Sequence, residues 1–191
     1  MESKNRCEWV PLSDQLYMEY HDKEWGTPEH SDKKLFESLI LQGAQAGLSW
    51  KTILYKRDNF RIAYDYFDPV KISKFDGRRV NELMQNRGII RNKLKIMAAV
   101  ENSKAFLRVQ NEFGSFDEYI WKFVNYETLQ NSWYDIKQIP AMSHESAAMS
   151  KDLYNRGFRF VGSTICYAYM QAMGMVNDHT TACYRHSELR E

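Results

Sequence analysis

Long apolar runs are missing from this 191-residue chain, where stretches such as Leu39–Leu41 and Ile165–Met170 fall far below the roughly 20 residues a membrane helix needs. The opening Met-Glu-Ser-Lys-Asn-Arg has no apolar segment behind it, so we expect no signal peptide, no membrane partner and a cytoplasmic location. Cysteine is scarce. Cys7, Cys166 and Cys183 are odd in number and far apart, which argues against a disulfide framework and leaves metal ligation or burial. A surplus of one charge sign is also lacking: the net charge is +1, so any nucleic-acid contact must come from a local basic face. Neither strand-like alternation, nor a repeat, nor a low-complexity tract is found. With 43% hydrophobic and 27% charged residues the chain lies outside the disordered regime. One compact domain over 1–191 is expected, with room for two lobes around one cleft, and as a monomer.

What is present is helical periodicity. Ser31–Ala46 carries Leu35, Phe36, Leu39 and Ile40 on one stripe, with Ser31 or Asp32 to cap it and Gly47 to end it. Further helices are expected over Ser49–Tyr66, after Asp76, over Arg91–Phe113, over Phe116–Val124, over Ser146–Arg156 and over Ser163–Met173. The polar stretch Asn125–Pro140 reads as an irregular connection. The fold class is therefore all-α.

Cys7 and His21 lie near one end of the chain, and His179 and Cys183 near the other, the latter pair spaced so that one helical turn could present both. Together they form a Cys2His2 set suited to a closed, structural zinc site. On spacing alone a terminal thiol and a satisfied polar histidine are the commoner reading. Cys166 sits within the apolar helix and reads as core.

Two helices flank the hairpin Gly157–Gly162, whose glycines allow a tight turn. The helix beginning at Ser163 aims free N–H groups over the hairpin, with Lys151, Arg156 and Arg159 nearby, an arrangement able to hold a phosphate. A second basic cluster, Arg87, Arg91, Lys93 and Lys95, could hold the same duplex. A plain helical hairpin with a solvated basic face fits the same pattern.

Gln42 falls on the buried stripe of its helix, where an amide must find partners in backbone or in a pocket. Aromatics gather around it in sequence: Tyr17, Tyr20 and His21 share a helical face, Trp50 opens the next helix, and Trp9 and Trp25 flank them. Such rings pack cores as readily as they stack on ligands.

Five segments then point one way. They are Tyr-His-Asp-x-Glu-Trp-Gly at Tyr20–Gly26, Gln-Ala-Gly-Leu-Ser-Trp at Gln45–Trp50, Gly-Ile-Ile-Arg at Gly88–Arg91, Gly-Phe-Arg-Phe-Val-Gly at Gly157–Gly162 and Asn-Asp-His at Asn177–His179. Across essentially its whole length the chain resembles the 3-methyladenine DNA glycosylase I family. The resemblance implies an all-α, helix-hairpin-helix fold and one structural zinc on Cys7, His21, His179 and Cys183. It implies a base pocket where Trp50 and Tyr20 stack on the excised base, Tyr17 and Trp9 line the walls, and residue 42 reads the adenine edge. It also implies that Gly47 and Leu48 probe the duplex gap, while Arg91, Arg159, Gly162 and Ser163 contact DNA. One position departs: the family usually carries glutamate where this chain has Gln42, and a neutral amide offers no negative charge to a cationic base.

The implied activity is hydrolysis of the N-glycosidic bond of 3-methyladenine in double-stranded alkylated DNA, releasing the free base. Strand scission is not expected, because no lysine is evidently placed for a Schiff base. Asp178, beside His179, is a reserve candidate for acid–base work, and Asp178→Asn is expected to matter less than Trp50→Ala.

Overall fold

A computed structural model describes residues 4–190. Eleven α-helices account for most of them: α1 (Gln15–Lys23), α2 (Asp32–Gln45), α3 (Trp50–Leu54), α4 (Arg57–Ala63), α5 (Pro69–Ile72), α6 (Gly77–Gln85), α7 (Lys93–Phe113), α8 (Phe116–Trp121), α9 (His144–Asn155), α10 (Ser163–Ala172) and α11 (Tyr184–Glu188). Their starts follow side-chain chemistry. Asp14, Ser49, Asp68, Asp76, Asn92, Ser115 and Ser143 each accept a hydrogen bond from a backbone N–H in the first turn of the helix that follows. Ser31 occupies the N-cap of α2 without such a bond. Asp32 serves another helix, accepting from the backbone N–H groups of Phe116 and Asp117, both at 2.8 Å, at the start of α8.

Helix α2 is the central element. It is buried on nearly every side, from Leu35 and Phe36 to Gly43 and Ala44, and it packs against α3, α7, α8 and α10. The stretch expected as one helix, Ser49–Tyr66, is instead broken into α3, α4 and a 3-10 turn at Asp65–Phe67, where Tyr66 takes a left-handed φ of 55°. Periodicity could not see the break, because the apolar residues Ile53, Phe60 and Phe67 all point to the core on either side of it. The all-helical expectation also needs one small amendment. Leu129–Gln130 (β1) pairs in parallel with Val176–Asn177 (β2), a two-residue bridge too short to leave an alternating signature.

The apolar interior falls into two clusters. The larger runs through α2, α7, α8, α9 and α10 and includes Phe36, Phe106, Phe116, Trp121 and Tyr169. The smaller gathers Cys7, Val10, Tyr20, Trp25, Leu54, Ala172 and Cys183 near the two ends of the chain. Trp50 and Met173 pack against both. Gly174 fixes the seam between them: at φ +70° it lies so close to Thr27 and Pro28 that a Cβ would stand 2.3 Å from the Pro28 nitrogen. Among the described residues no helix is long and apolar enough to cross a membrane.

Candidate functional site

Along that seam lies a cavity of about 420 Å³, within the range of sites that hold small heterocycles. Its aromatic side comes from Trp9, Tyr17, Tyr20, Trp25 and Trp50; α2 contributes Gln42 and Gln45; α10 contributes Thr164, Tyr167, Ala168 and Gln171. Ile136 and Ile139–Ala141, from the irregular connection, close the opposite side. The structure thus brings Trp9, Tyr17, Tyr20, Gln42 and Trp50 to one opening, five residues picked from sequence for one pocket. Tyr20 and Trp50 lean on one another, ring centres 5.2 Å apart at 40°, and form a continuous wall. Trp9 meets Tyr17 edge-on at 5.6 Å and Trp25 at 4.9 Å. Gln42 is 4% exposed, yet its amide makes no hydrogen bond to the described protein, so its donors and acceptor are left for whatever enters the cavity. Burial pushes the Tyr20 hydroxyl well above its ordinary range and keeps it protonated.

A larger cavity, about 580 Å³, lies on the other side of Tyr20 and Trp50. Its walls are charged, but the charges satisfy each other. Arg57 bonds Glu24 at 2.9 Å, Arg61 bonds Glu37 at 2.9 Å, and Lys34 meets Glu29 at 2.8 Å. The smaller cavity, with its unsatisfied amide and its rings, is the one with chemistry left to offer.

Sequence alone does not mark Ile136, Ile139–Ala141, Tyr167 or Gln171 as site residues. Tyr167 and Gln171 lie on the apolar helix α10, where nothing in periodicity separates a cavity wall from core. Asp178 does not reach the cavity. It is fully buried, and its carboxylate accepts from Asn131, Trp133 and Gln171, each at 2.7 Å, and from the Tyr167 hydroxyl at 2.8 Å. No lysine lines the cavity.

Beneath the aromatic wall, Cys7, His21, His179 and Cys183 converge, all buried, with ligand atoms within 4.8 Å of one another. The pair His179 and Cys183 is not on a helical turn as the spacing suggested; Cys183 is instead the N-cap of α11, and a turn precedes it. The Cys7 and Cys183 sulfurs lie 3.4 and 3.5 Å from His179 Nδ1, and Cys183 Sγ lies 3.4 Å from His21 Nε2. A tetrahedral ion with ordinary metal–sulfur and metal–nitrogen bonds separates such atoms by about 3.6 Å, so the donor set fits a cation. The far ring nitrogens are also occupied. His21 Nδ1 meets Asp22 at 2.8 Å, and His179 Nε2 meets the Trp25 carbonyl at 3.1 Å, which fixes both imidazoles with the ligating nitrogen inward. Despite the penalty of burial, Arg6 and His21 hold the Asp22 carboxyl well below its usual range. Burial lowers His179, favouring the neutral ring that ligates. Contact between the two thiols draws Cys183 down and pushes Cys7 up. Gly26, at φ +77°, passes so near that a Cβ would stand 2.8 Å from His179 Nε2.

The hairpin joins this site from the other cluster. Asn102 on α7 grips the Arg159 backbone at both N–H (2.7 Å) and carbonyl (3.0 Å), and Phe160 packs over Gly43 of α2. The left-handed conformations fall at Gly157 (φ +96°) and Phe160 (φ +55°), whereas Gly162 is ordinary extended backbone, φ −62°. Its missing side chain instead leaves the first turn of α10 open, with Gly162 and Thr164 exposed and Ser163 partly so. Arg159, Arg91, Gly47 and Leu48 are exposed as well. Two members of the expected basic set are committed elsewhere. Arg156 is held by Glu112 and Asp152, and the Lys95 ammonium bonds the Ala44 and Ala46 carbonyls at 2.8 and 2.6 Å, tying down the end of α2.

A small all-helical fold with an aromatic cavity beside a helix–hairpin–helix defines a class, and comparison with solved structures agrees. A 3-methyladenine DNA glycosylase I superposes with a TM-score of 0.92 at 46% identity, over 94% of this chain and 98% of that one. A variant of a 3-methyladenine DNA glycosylase I in complex with 3-methyladenine superposes at 0.91, with 29% identity over 94% and 96%. In sequence the chain is 47% identical to DNA-3-methyladenine glycosylase 1 of Escherichia coli K12, over 93% of this chain and 95% of the relative. The methyladenine glycosylase family model matches residues 9–186, and the chain belongs to that family.

Proposed function

We propose that the protein excises 3-methyladenine from alkylated duplex DNA by hydrolysing its glycosidic bond. The single observation that carries this beyond family membership is the shared opening of Tyr20, Trp50 and the unpartnered Gln42 amide. Methylation at N3 makes the base a cation while it is still in the nucleotide, so it needs no protonation to leave. The protein's task is then to draw the nucleotide out of the stack and hold the base where its charge is best tolerated. The Trp50–Tyr20 wall supplies electron-rich faces for a cation, with Tyr17 and Trp9 closing the rim. Gln42 can accept from the exocyclic amine and donate to N7. Outside the cavity, the open start of α10 at Gly162 and Ser163, with Arg159 and Arg91, suits backbone phosphates, and Leu48 at the Gly47 corner suits the space the flipped nucleotide leaves.

The ion we assign to the four buried ligands is zinc, which favours two thiolates and two imidazoles in a closed tetrahedron. With every position taken by protein it supplies no site for water or substrate, and its contribution is to join the chain's two ends under the aromatic wall.

Incubating the protein with methylated duplex DNA and measuring free 3-methyladenine tests the reading. Release well above a buffer control, with the strand intact, is expected; absence of release would leave only a base-binding role. Trapping a covalent adduct with borohydride would overturn the monofunctional mechanism.

A further inference from the structure

Asp178 sits behind the cavity rather than in it, and the four donors around it divide into two sets. Oδ1 takes Asn131 Nδ2 and Trp133 Nε1, which lead into the 136–141 wall; Oδ2 takes the Tyr167 hydroxyl and Gln171 Nε2, both on the α10 wall. One carboxylate therefore ties two sides of the cavity together. It also fixes their polarity. A carboxylate accepts only, so the Gln171 amide must turn its nitrogen toward Asp178 and its oxygen away, and Tyr167 must spend its proton there. Burial pushes the Tyr167 hydroxyl well above its ordinary range, which keeps it a donor to the carboxylate. What Tyr167 and Gln171 leave to the α10 wall is oxygen lone pairs, while the Thr164 hydroxyl can turn to either role.

We propose that Asp178 is a positioning residue which sets the α10 wall of the cavity as a hydrogen-bond acceptor through Gln171, and so selects a purine bearing an amino group over one bearing an oxo group at the same position. A flipped adenine offers an exocyclic amine to that wall; a flipped guanine presents a carbonyl, acceptor against acceptor. A site arranged to satisfy one of these leaves the other with an unpaired polar group. This rests on the excision reading above and adds to it the residues that choose the base.

The test compares release of 3-methyladenine and 3-methylguanine from methylated duplex DNA, with kcat and KM taken separately. In Asp178→Asn, a side-chain amide N–H faces two of the donors that had shared a carboxylate, and Gln171 is free to turn its own amide nitrogen toward the cavity. The preference for the adenine-type base is expected to fall about tenfold or more, mainly in kcat. Gln171→Met keeps the packing, leaves Asp178 intact and removes the acceptor; the same loss of preference is expected, with melting temperature and metal content unchanged. Quenching of tryptophan fluorescence by the two free bases reads the preference without turnover, so a protein that binds but does not excise would still answer the question. Variants that slow both bases equally, or a Gln171→Met protein with the parent's preference, would overturn the proposal.

Discussion

The two ends of this molecule are stabilised by different means. In the larger cluster, Phe36, Phe60, Phe106, Phe116 and Tyr169 are almost wholly covered, and burial of each such side chain contributes about 1.5–3 kcal/mol. The smaller cluster has little of this: two of its seven core members are cysteines and one is alanine. Its backbone is mostly turns and short helices, while each ordered residue costs about 1–2 kcal/mol of conformational entropy. Four buried residues able to hold a metal ion stand where apolar mass is missing. Small folds that cannot bury enough surface rely on such cross-links. The cavity straddles the boundary, since Trp50 packs on both clusters and Tyr20 belongs to the smaller one. The proposed ion would thereby govern activity without touching the reacting atoms.

The largest expected effect comes from breaking the smaller cluster. Replacing His179 or Cys183 by alanine, or removing the metal with a chelator, should abolish one bound zinc per chain. Melting should fall by roughly 10 °C or more, as expected for a loss of 3–5 kcal/mol or more in a chain this size, and excision should fall with it. Full activity and an unchanged near-ultraviolet signal from Trp9 and Trp25 after metal loss would break the comparison. Next comes a matched pair of substitutions. Trp50→Ala removes one face of the cavity and should cost about a hundredfold in excision, because stacking acts on the departing base. Phe36→Ala, wholly inside the larger cluster, should cost about 3–5 kcal/mol of stability while the protein that stays folded cleaves at nearly the parent rate. Equal losses of activity from both would show that the boundary does not separate function from scaffold.

The same division explains what could be read in advance. Helices of the larger cluster announce themselves: α2, α6, α7, α9 and α10 lie within a few residues of their expected limits, because long amphipathic stripes and capping residues are local signals. The smaller cluster has no stripe. Its candidate ligands came from residue type and from family resemblance, and in place of the expected helical turn at His179–Cys183 a turn leads into Cys183 as the N-cap of α11, bringing both side chains to the buried cluster. Tyr167, Gln171 and the 136–141 wall were invisible for a third reason. Tyr167 and Gln171 are held by a buried carboxylate at Asp178, the 136–141 wall meets them only in the folded chain, and contacts so distant in sequence leave no pattern.

A smaller effect is expected inside the cavity. Gln42→Glu places a carboxylate beside the cationic base, where an opposite charge in a partly dry site is worth more than in water. Excision of 3-methyladenine should rise, by about tenfold at most, and binding of neutral adenine should not improve. A gain for both bases alike would mean that residue 42 acts through packing.

The smallest effect belongs to Arg159, and it separates the two regions most cleanly. The hairpin is anchored on the larger cluster through Asn102, Gly43 and Phe160, none of which touches the metal ligands. Phosphate contacts release counterions, so each one lost lowers the slope of log affinity against log salt by about one. Arg159→Ala should therefore weaken duplex binding by a similar factor on every sequence and flatten that slope by about one, with zinc content and melting temperature unchanged. Metal-depleted protein should show the converse, with excision gone but salt-dependent duplex binding retained and its slope intact. Fluorescence anisotropy on one unmodified duplex across a salt series measures both. A slope that collapses on metal removal would mean that the hairpin depends on the smaller cluster after all, and that DNA grip and base cavity form one unit.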